Sequence, residues 1–485
     1  MSIEGRLFAR LAQGAYEQGC AELDAATDHL PEQFRAELDL DSAREFCLPL
    51  KTALQGLVHW LERHDALARP GGSAGFLRHV AETVPYYRKR GFARSAAAPP
   101  LSAFPVVTKA QMLAAYPDFI SAGFHADPLK FFKSTSGTSG LPLIVWFDAA
   151  CFYDVNYQTY RRVADRLPGL AEAVRPGRLG AIQLTDDPQT WPGATRLPSL
   201  EFCILARQLF GMAGIDDDAV MARMRTARPA LICGVPSSLL AYLRHEIAAD
   251  AATPSCRPRG IFVSGETLYD NARRLLGDWF GCPIVNAYTS TEGGLIAMEC
   301  AFGRGLHVSG HTRVEILRDD GTVGDEGTGE VLLTNMMNRA QAIVRYRVGD
   351  RASVVQETCR CGYRGATITR FHGREPTHFR TPDREIDLAA LDHALSALPL
   401  LEFQLAQAEP RRVWLRWVAA DANGDSYGLA ARINDIARHH FVGVDIHSEQ
   451  VSRITAPGTK ARRFITCEAC DLSSLSAATA SNAIH

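Results

Sequence analysis

Long hydrophobic runs are missing from this 485-residue chain, and no stretch approaches the ~18 apolar residues that a membrane span requires. The opening stretch, MSIEGRLFARLAQGAYEQG, lacks an uninterrupted apolar core of signal-peptide length, so a cytoplasmic location is expected. An excess of one charge sign is missing too: 52 Lys plus Arg stand against 54 Asp plus Glu, a formal charge of -2. Such a chain has no global field to attract nucleic acid or an anionic membrane, and neither partner is expected. Cysteine is scarce, with 12 in the whole chain, which excludes a disulfide scaffold. Most cysteines, such as Cys151, Cys203 and Cys233, stand singly in apolar surroundings and read as reduced core residues. Only Cys300, Cys359 and Cys361 have a spacing that invites chemistry. There is no internal repeat.

What is present is the balance of a globular protein, 46% hydrophobic and 22% charged, with length for about two to four domains. Residues 1–95 read as a helical N-terminal layer: FRAELDLDSAREFCLPLKTALQGLVHWLERH carries apolar residues at roughly helical spacing, and LARPGGSAG breaks the pattern. From 178 to 350, short apolar runs (LGAIQL, ALICGV, GIFVSG, PIVNAY) alternate with helical stretches (SSLLAYLRHEIAAD, NARRLLGDWFG), the pattern of an α/β sheet with crossover helices. Residues 311–356 change to short strands separated by Gly and Asp turns, an antiparallel β subdomain. These belong to one core over 96–373, and 374–472 form a small α+β domain with helix IDLAALDHALSAL, two strands and helix GLAARINDIARHHF. The tail 473–485 is small and polar and is expected to be disordered.

The strongest local signal is KSTSGTSGLP at 133–142. Hydroxyls at Ser134, Thr135, Ser136, Thr138 and Ser139, interleaved with Gly137 and Gly140, let one turn aim many N–H and O–H donors at an anion such as phosphate. It is not a Walker loop, because no Gly-Lys-Ser/Thr ending follows.

Here the chain resembles the adenylate-forming superfamily of acyl-CoA synthetases, and within it the phenylacetate–CoA ligase-like branch. After STSGTSGLP, VSGE at 263–266, NAYTSTEGG at 286–294, YRVGD at 346–350, GR at 373–374 and PGTKARRF at 457–464 follow in the family's order. FPVVTKAQMLAAYP at 104–117 and RPALICGVPSSLLAYL also resemble family segments, so the match spans about residues 80–465. The resemblance implies a large α/β adenylate-forming domain with a small, mobile α+β C-terminal domain. It implies that ATP and Mg²⁺ activate a small carboxylic acid, expected to be aryl, as acyl-AMP, which then passes to a thiol.

By the same resemblance Gly265, Glu266, Asn286, Ala287, Tyr288, Asp350 and Arg374 surround adenine and ribose, and Thr291 joins the loop at phosphate. The residue types suit those tasks: Tyr288 offers a flat face to a purine, Asp350 can accept from both ribose hydroxyls, and Glu292 is a hard carboxylate for Mg²⁺. Lys460 matches the family's catalytic lysine on the mobile domain. Its compact ammonium would stabilise charge building up between a carboxylate and an ATP phosphate.

A second constellation is Cys300, His307, Cys359 and Cys361. The loop AFGRGL joins the first two, and Cys359-Arg360-Cys361-Gly362 puts two thiols on one tight turn, a donor set for a closed Cys₃His zinc tetrahedron. Some members of the resembled branch carry a metal at the corresponding place.

The sequence departs from the family at two places. The phosphate loop lacks the lysine that often follows its proline, reading Pro142-Leu143-Ile144. After Gly373 and Arg374 the segment EPTHFRTPDREIDLAALD replaces the stretch that usually lines the pantetheine path, so the acceptor stays open between coenzyme A and the phosphopantetheine of an acyl or peptidyl carrier protein. An adenylating amide ligase and a catalytically silent binding protein of the same fold are the alternatives. Phe152, Tyr153 and the 185–210 region, including Trp191, are the candidates for the acid pocket.

Overall fold

The computed structural model describes residues 72–94, 97–124, 131–135, 142–175, 178–185, 193–197, 200, 203–211, 215–249, 253–302, 305–373, 379–420, 426–454 and 462–466. They divide into two compact units. One comprises Met1–Leu179, Gly193–Leu205 and Val285–Glu375, the other Gly180–Pro192, Ala206–Ile284 and Pro376–His485. The expected fold class is observed: mixed β-sheet with flanking helices in the large N-terminal region, and a smaller α+β sheet at the C-terminus. The long apolar pattern before residue 72 lies outside the described residues.

In the first unit, helix Gly72–Thr83 buries Phe76, Leu77, Val80 and Ala81, whose spacing puts them on one face. The core continues through Tyr87, fully buried and edge-on to Phe104 at 5.1 Å, and Tyr86, stacked on Phe119 at 4.1 Å. Helix Lys109–Ala114 starts on a capping box of Thr108 and Gln111. Strands Phe131–Ser134 and Ile144–Phe147 form a hairpin, with Phe131 opposite Phe147 and Ser134 opposite Ile144. Val145 and Phe147 point into the core while Phe132 and Ile144 are exposed, the period-two alternation of a sheet with one wet face.

An antiparallel sheet fills the rest of this unit. Its order is Val323–Gly324, Thr312–Leu317, Gly327–Asn335, Tyr346–Thr358, Arg364–Gly373, Leu306–Val308, Gly294–Glu299, Ile284–Ser290. The short strands with Gly and Asp turns read from 311–356 are its outer half.

In the second unit, Leu179–Thr185, Leu231–Gly234 and Gly260–Ser264 pair parallel, and helices Asp217–Ala227, Pro236–Ala248 and Asp270–Phe280 connect and follow them. Those strands are buried almost throughout, as parallel strands covered on both faces must be. The C-terminal part is a four-stranded sheet in the order Asp445–Gln450, Arg412–Ala419, Leu400–Glu409, Phe464–Thr466. Its central pair is antiparallel and both outer strands run parallel to their neighbours. Helices Leu388–Ser396 and Ser426–His440 contribute Leu391, Leu395 and Ile433 to a core with Phe379, Leu405, Leu415 and Phe441. Among the described residues no helix is long and apolar enough to cross a membrane.

Candidate functional site

The serine-rich motif begins in strand Phe131–Ser134, which pairs with Ile144–Phe147. Ser134 ends the first strand, and Thr135 closes the ladder: its N–H donates to the Leu143 carbonyl at 3.0 Å and its Oγ1 accepts from the Leu143 N–H at 2.9 Å. Ser136, Gly137, Thr138, Ser139 and Gly140 lie outside the described residues, as do Arg374, Lys460 and Trp191. Helix Ala149–Tyr153 follows, started by Asp148, whose carboxylate accepts from the Cys151 N–H at 3.1 Å. Phe152 lies within 6.0 Å of the Lys133 ammonium, measured to the ring centroid. The helix then widens into a π-helical turn, Asp154–Gln158, and resumes as Thr159–Ala164.

The NAYTSTEGG motif forms strand Ile284–Ser290 and the turn after it. The Asn286 N–H donates to Glu299 Oε2 at 3.1 Å, Ala287 is buried, and Tyr288 is half-buried with its ring edge-on to Phe371 at 4.6 Å. The Tyr288 hydroxyl donates to Asp350 Oδ2 at 2.7 Å. Two motifs 62 positions apart in the chain therefore meet at one polar contact. Thr291 is half-buried and Glu292 buried, and the Glu292 carbonyl accepts from the Asn335 side-chain amide at 3.0 Å. Gly265, at φ +86, turns the chain after strand Gly260–Ser264. Glu266 next to it accepts from Ser237 twice, from N–H and from Oγ, each at 3.0 Å, and so holds the N-terminus of helix Pro236–Ala248.

The four soft and imidazole donors do come together. Cys300 follows strand Gly294–Glu299, His307 sits in strand Leu306–Val308, and Cys359 and Cys361 occupy the turn between Tyr346–Thr358 and Arg364–Gly373. Their donor atoms all lie within 4.8 Å of one another. Cys300 Sγ is 3.6 Å from Cys359 Sγ, and Cys361 Sγ is 3.8 Å from His307 Nδ1. Bonds of about 2.3 Å to sulfur and 2.0–2.1 Å to nitrogen at tetrahedral angles place such donors roughly 3.5–3.8 Å apart, so the set fits zinc. The surroundings act unequally on these donors, and burial raises the Cys300 thiol above its ordinary value. N–H groups of Phe302 and Tyr363 point at the sulfurs of Cys300 and Cys361, and the Cys361 N–H draws the Cys359 thiol below its ordinary value. Burial, with the Arg166 guanidinium nearby, holds His307 below its ordinary value and hence neutral. Its ring stacks on Tyr363 at 4.1 Å and 8°.

One polar cluster in this region is invisible in the motifs. Asp154, on the π-helical turn, receives both guanidinium nitrogens of Arg162, at 2.8 and 3.1 Å, and Asp154 Oδ2 lies 3.6 Å from His311 Nδ1. His311 is buried, next to the Gly293 backbone, directly beneath the turn that presents Thr291 and Glu292. No residue pattern announces it: the only signal is a His in an otherwise ordinary strand approach, HTRVEIL.

No family model and no curated protein matches the sequence. Solved structures do. A 2-hydroxyisobutyryl-CoA ligase in its postadenylation state with 2-HIB-AMP superposes with TM-score 0.63 at 16% identity, covering 87% of this chain and 93% of that one. The same ligase with R3-HIB-AMP gives TM-score 0.61 at 16% identity over the same shares. At this identity the likeness shows a shared fold.

Two outcomes follow from the geometry. Freshly purified protein should contain about one zinc per chain, and Cys359→Ser with Cys361→Ser should remove it and lower the melting temperature, because the metal would join separate strands; metal analysis and calorimetry check this. The second concerns His311. Burial is the largest influence on it and outweighs the attraction of Asp154, so its folded pKa lies below the ordinary His value. The folded state then binds fewer protons than the unfolded one, and this contribution to stability is complete above about pH 6.5 and is lost as pH falls below it. His311→Gln should flatten the decline of urea-unfolding free energy between about pH 6.5 and pH 5; an unchanged slope would show that His311 does not resist protonation.

Proposed function

We propose that the chain activates a small carboxylic acid with ATP as an acyl-adenylate and then passes the acyl group to a thiol. A carboxylate oxygen attacks the α-phosphorus and pyrophosphate leaves; the thiol sulfur then attacks the acyl carbon and AMP leaves. The observation that carries this reading is the meeting of Tyr288 and Asp350, which brings the motifs assigned to adenine and to ribose into contact, 2.7 Å apart. A fold shared with a ligase solved with an acyl-AMP supports it.

In this reading residues 134–140 and Thr291 hold the phosphates, Tyr288 and Asp350 the nucleoside, with Gly265, Glu266, Asn286, Ala287 and Arg374 around it, and Glu292 a magnesium ion that offsets phosphate charge. Lys460 supplies the cation between carboxylate and α-phosphate. The Cys300, His307, Cys359 and Cys361 set is structural, because four protein ligands leave zinc no open position. The acid is an aryl acid, with Phe152 and Tyr153 on the helix after the loop as its first candidates for contact. The acceptor is coenzyme A or a carrier-borne phosphopantetheine, since residues 375–392 depart from the usual thiol path.

Acid-dependent ATP–pyrophosphate exchange over a panel of aryl and short aliphatic acids tests the first step, and no exchange with any acid would leave a silent binding protein of this fold. Lys460→Ala should lower that exchange by about 10²–10³ while largely sparing thiol capture of supplied acyl-adenylate; equal loss of both steps would remove Lys460 from its role. For the acceptor, kcat/KM with free coenzyme A is compared with that for a phosphopantetheinylated carrier and for amines. We expect a thiol to win, and turnover with amines alone would make the protein an amide ligase.

A further inference from the structure

Arg463 follows the PGTKAR motif, three residues after Lys460, and its side chain is almost completely buried. Its backbone belongs to the small sheet: the Arg463 carbonyl accepts from the Leu405 N–H at 2.7 Å, and strand Phe464–Thr466 begins at the next residue. On that side the guanidinium is paired with Asp392, donates to Ser396 Oγ at 2.8 Å and lies 4.1 Å from the centroid of Phe403.

The other half of its shell comes from far away in the chain. The guanidinium lies 3.6 Å from the ring centroid of Tyr269, and its second terminal nitrogen donates to Asn271 Oδ1. Tyr269 and Asn271 lie at the start of helix Asp270–Phe280, three and five positions after Glu266. Asn271 also donates to the carbonyls of Leu400 and Leu401, at 2.9 and 3.2 Å, and Arg274 donates to that of Ser396 at 3.0 Å. A planar guanidinium clamped between two rings, with its fork shared by two segments, is a rigid junction that a lysine could not reproduce.

We infer that Arg463, gripped by Tyr269 and Asn271, is the latch that docks the small sheet on helix Asp270–Phe280 for acid activation, and is thereby a positioning residue for Lys460. The inference rests on the reading of Lys460 as the adenylating cation. The physical link is chain reach. Lys460 lies outside the described residues, but three residues of chain span at most about 10–11 Å, which bounds its distance from a fixed Arg463. A cleft lined by Glu266, Thr267, Tyr269, Glu402, Arg462 and Arg463 brings the Arg463 segment near the turn that the resemblance assigns to adenine. The resemblance to the adenylate-forming superfamily implies that the small domain leaves this position for the thiol step, so the latch has to be reversible. Three polar side chains and two ring faces meet that need better than a continuous apolar seam.

The test is made on the full-length protein. Asn271→Ala removes the long-range half of the grip and leaves Arg463 its partners Asp392 and Ser396; Tyr269→Leu removes the ring face while keeping apolar bulk; Arg463→Lys keeps the charge and loses the fork. Each should lower kcat for acid-dependent pyrophosphate exchange by about tenfold or more, the scale of one charge-assisted hydrogen bond, with KM for ATP little changed. Thiol capture of pre-formed acyl-adenylate should stay within about twofold, and Asn271→Ala combined with Arg463→Lys should be no worse than the worse single variant. Wild-type exchange in all three variants, equal loss in both half-reactions, or additive losses in the double variant would each overturn the latch while leaving the adenylation reading in place. Absence of exchange in the wild type with every acid would instead overturn the adenylation reading, and the positioning role with it.

Discussion

The hairpin of strands Tyr346–Thr358 and Arg364–Gly373 is the constraint on which the first unit depends. At one end it places Asp350 on the outgoing strand and Phe371 on the returning one, both against Tyr288. At the other end its turn carries Cys359 and Cys361. Nine residue steps of extended chain lead from Asp350 to Cys359, roughly 30 Å at about 3.3 Å per residue. The Tyr288–Asp350 contact and the Cys₃His set are thus two ends of one stiff ladder. A cation at the turn would tie this hairpin to the neighbouring one, through Cys300 and His307, where an exposed turn would otherwise fray.

Beneath the turn at 291–294, packing decides what the backbone can do. A Cβ on Gly294 would fall 2.4 Å from Val155 Cγ2, and one on Gly293 would meet Ile296 and Leu333 at 2.7 Å. Both glycines are therefore required by close approach of the helix after the serine-rich motif and of the sheet core. That helix is the one that widens at Asp154, where burial of a carboxylate is offset by the two-pronged bond from Arg162. The positions of Thr291 and Glu292 are set by this tight stack, in which His311 is the polar filler.

In the second unit the same economy of polar groups appears at Glu266. Its carboxylate takes both donors of Ser237 and so anchors the start of a helix, which assigns the glutamate a scaffold duty in addition to any contact with a nucleotide. Asn271 and Arg463 carry the parallel strands' last helix onto the small sheet through side-chain hydrogen bonds and ring faces, a joint of the kind that can be made and broken.

Local pattern was enough to determine the element types. Three of the apolar runs alternating with helical stretches form parallel strands with their helices, while PIVNAY joins the antiparallel sheet of the Gly- and Asp-separated runs. The helix, two strands and helix of the C-terminal part are legible because periodicities of burial are written in consecutive residues, whereas the outer strands Asp445–Gln450 and Phe464–Thr466 are not. The candidate chemistry was legible for the same reason wherever it sits in one short motif, as in NAYTSTEGG or Cys359-Arg360-Cys361. Tertiary structure alone decided which distant residues meet: Tyr288 with Asp350, Cys300 with Cys359, Asp154 with His311, and Arg463 with Asn271. Such pairings depend on strand register and on helix rotation, and a one-residue slip of a strand would turn each side chain to the opposite face without altering the composition of any segment.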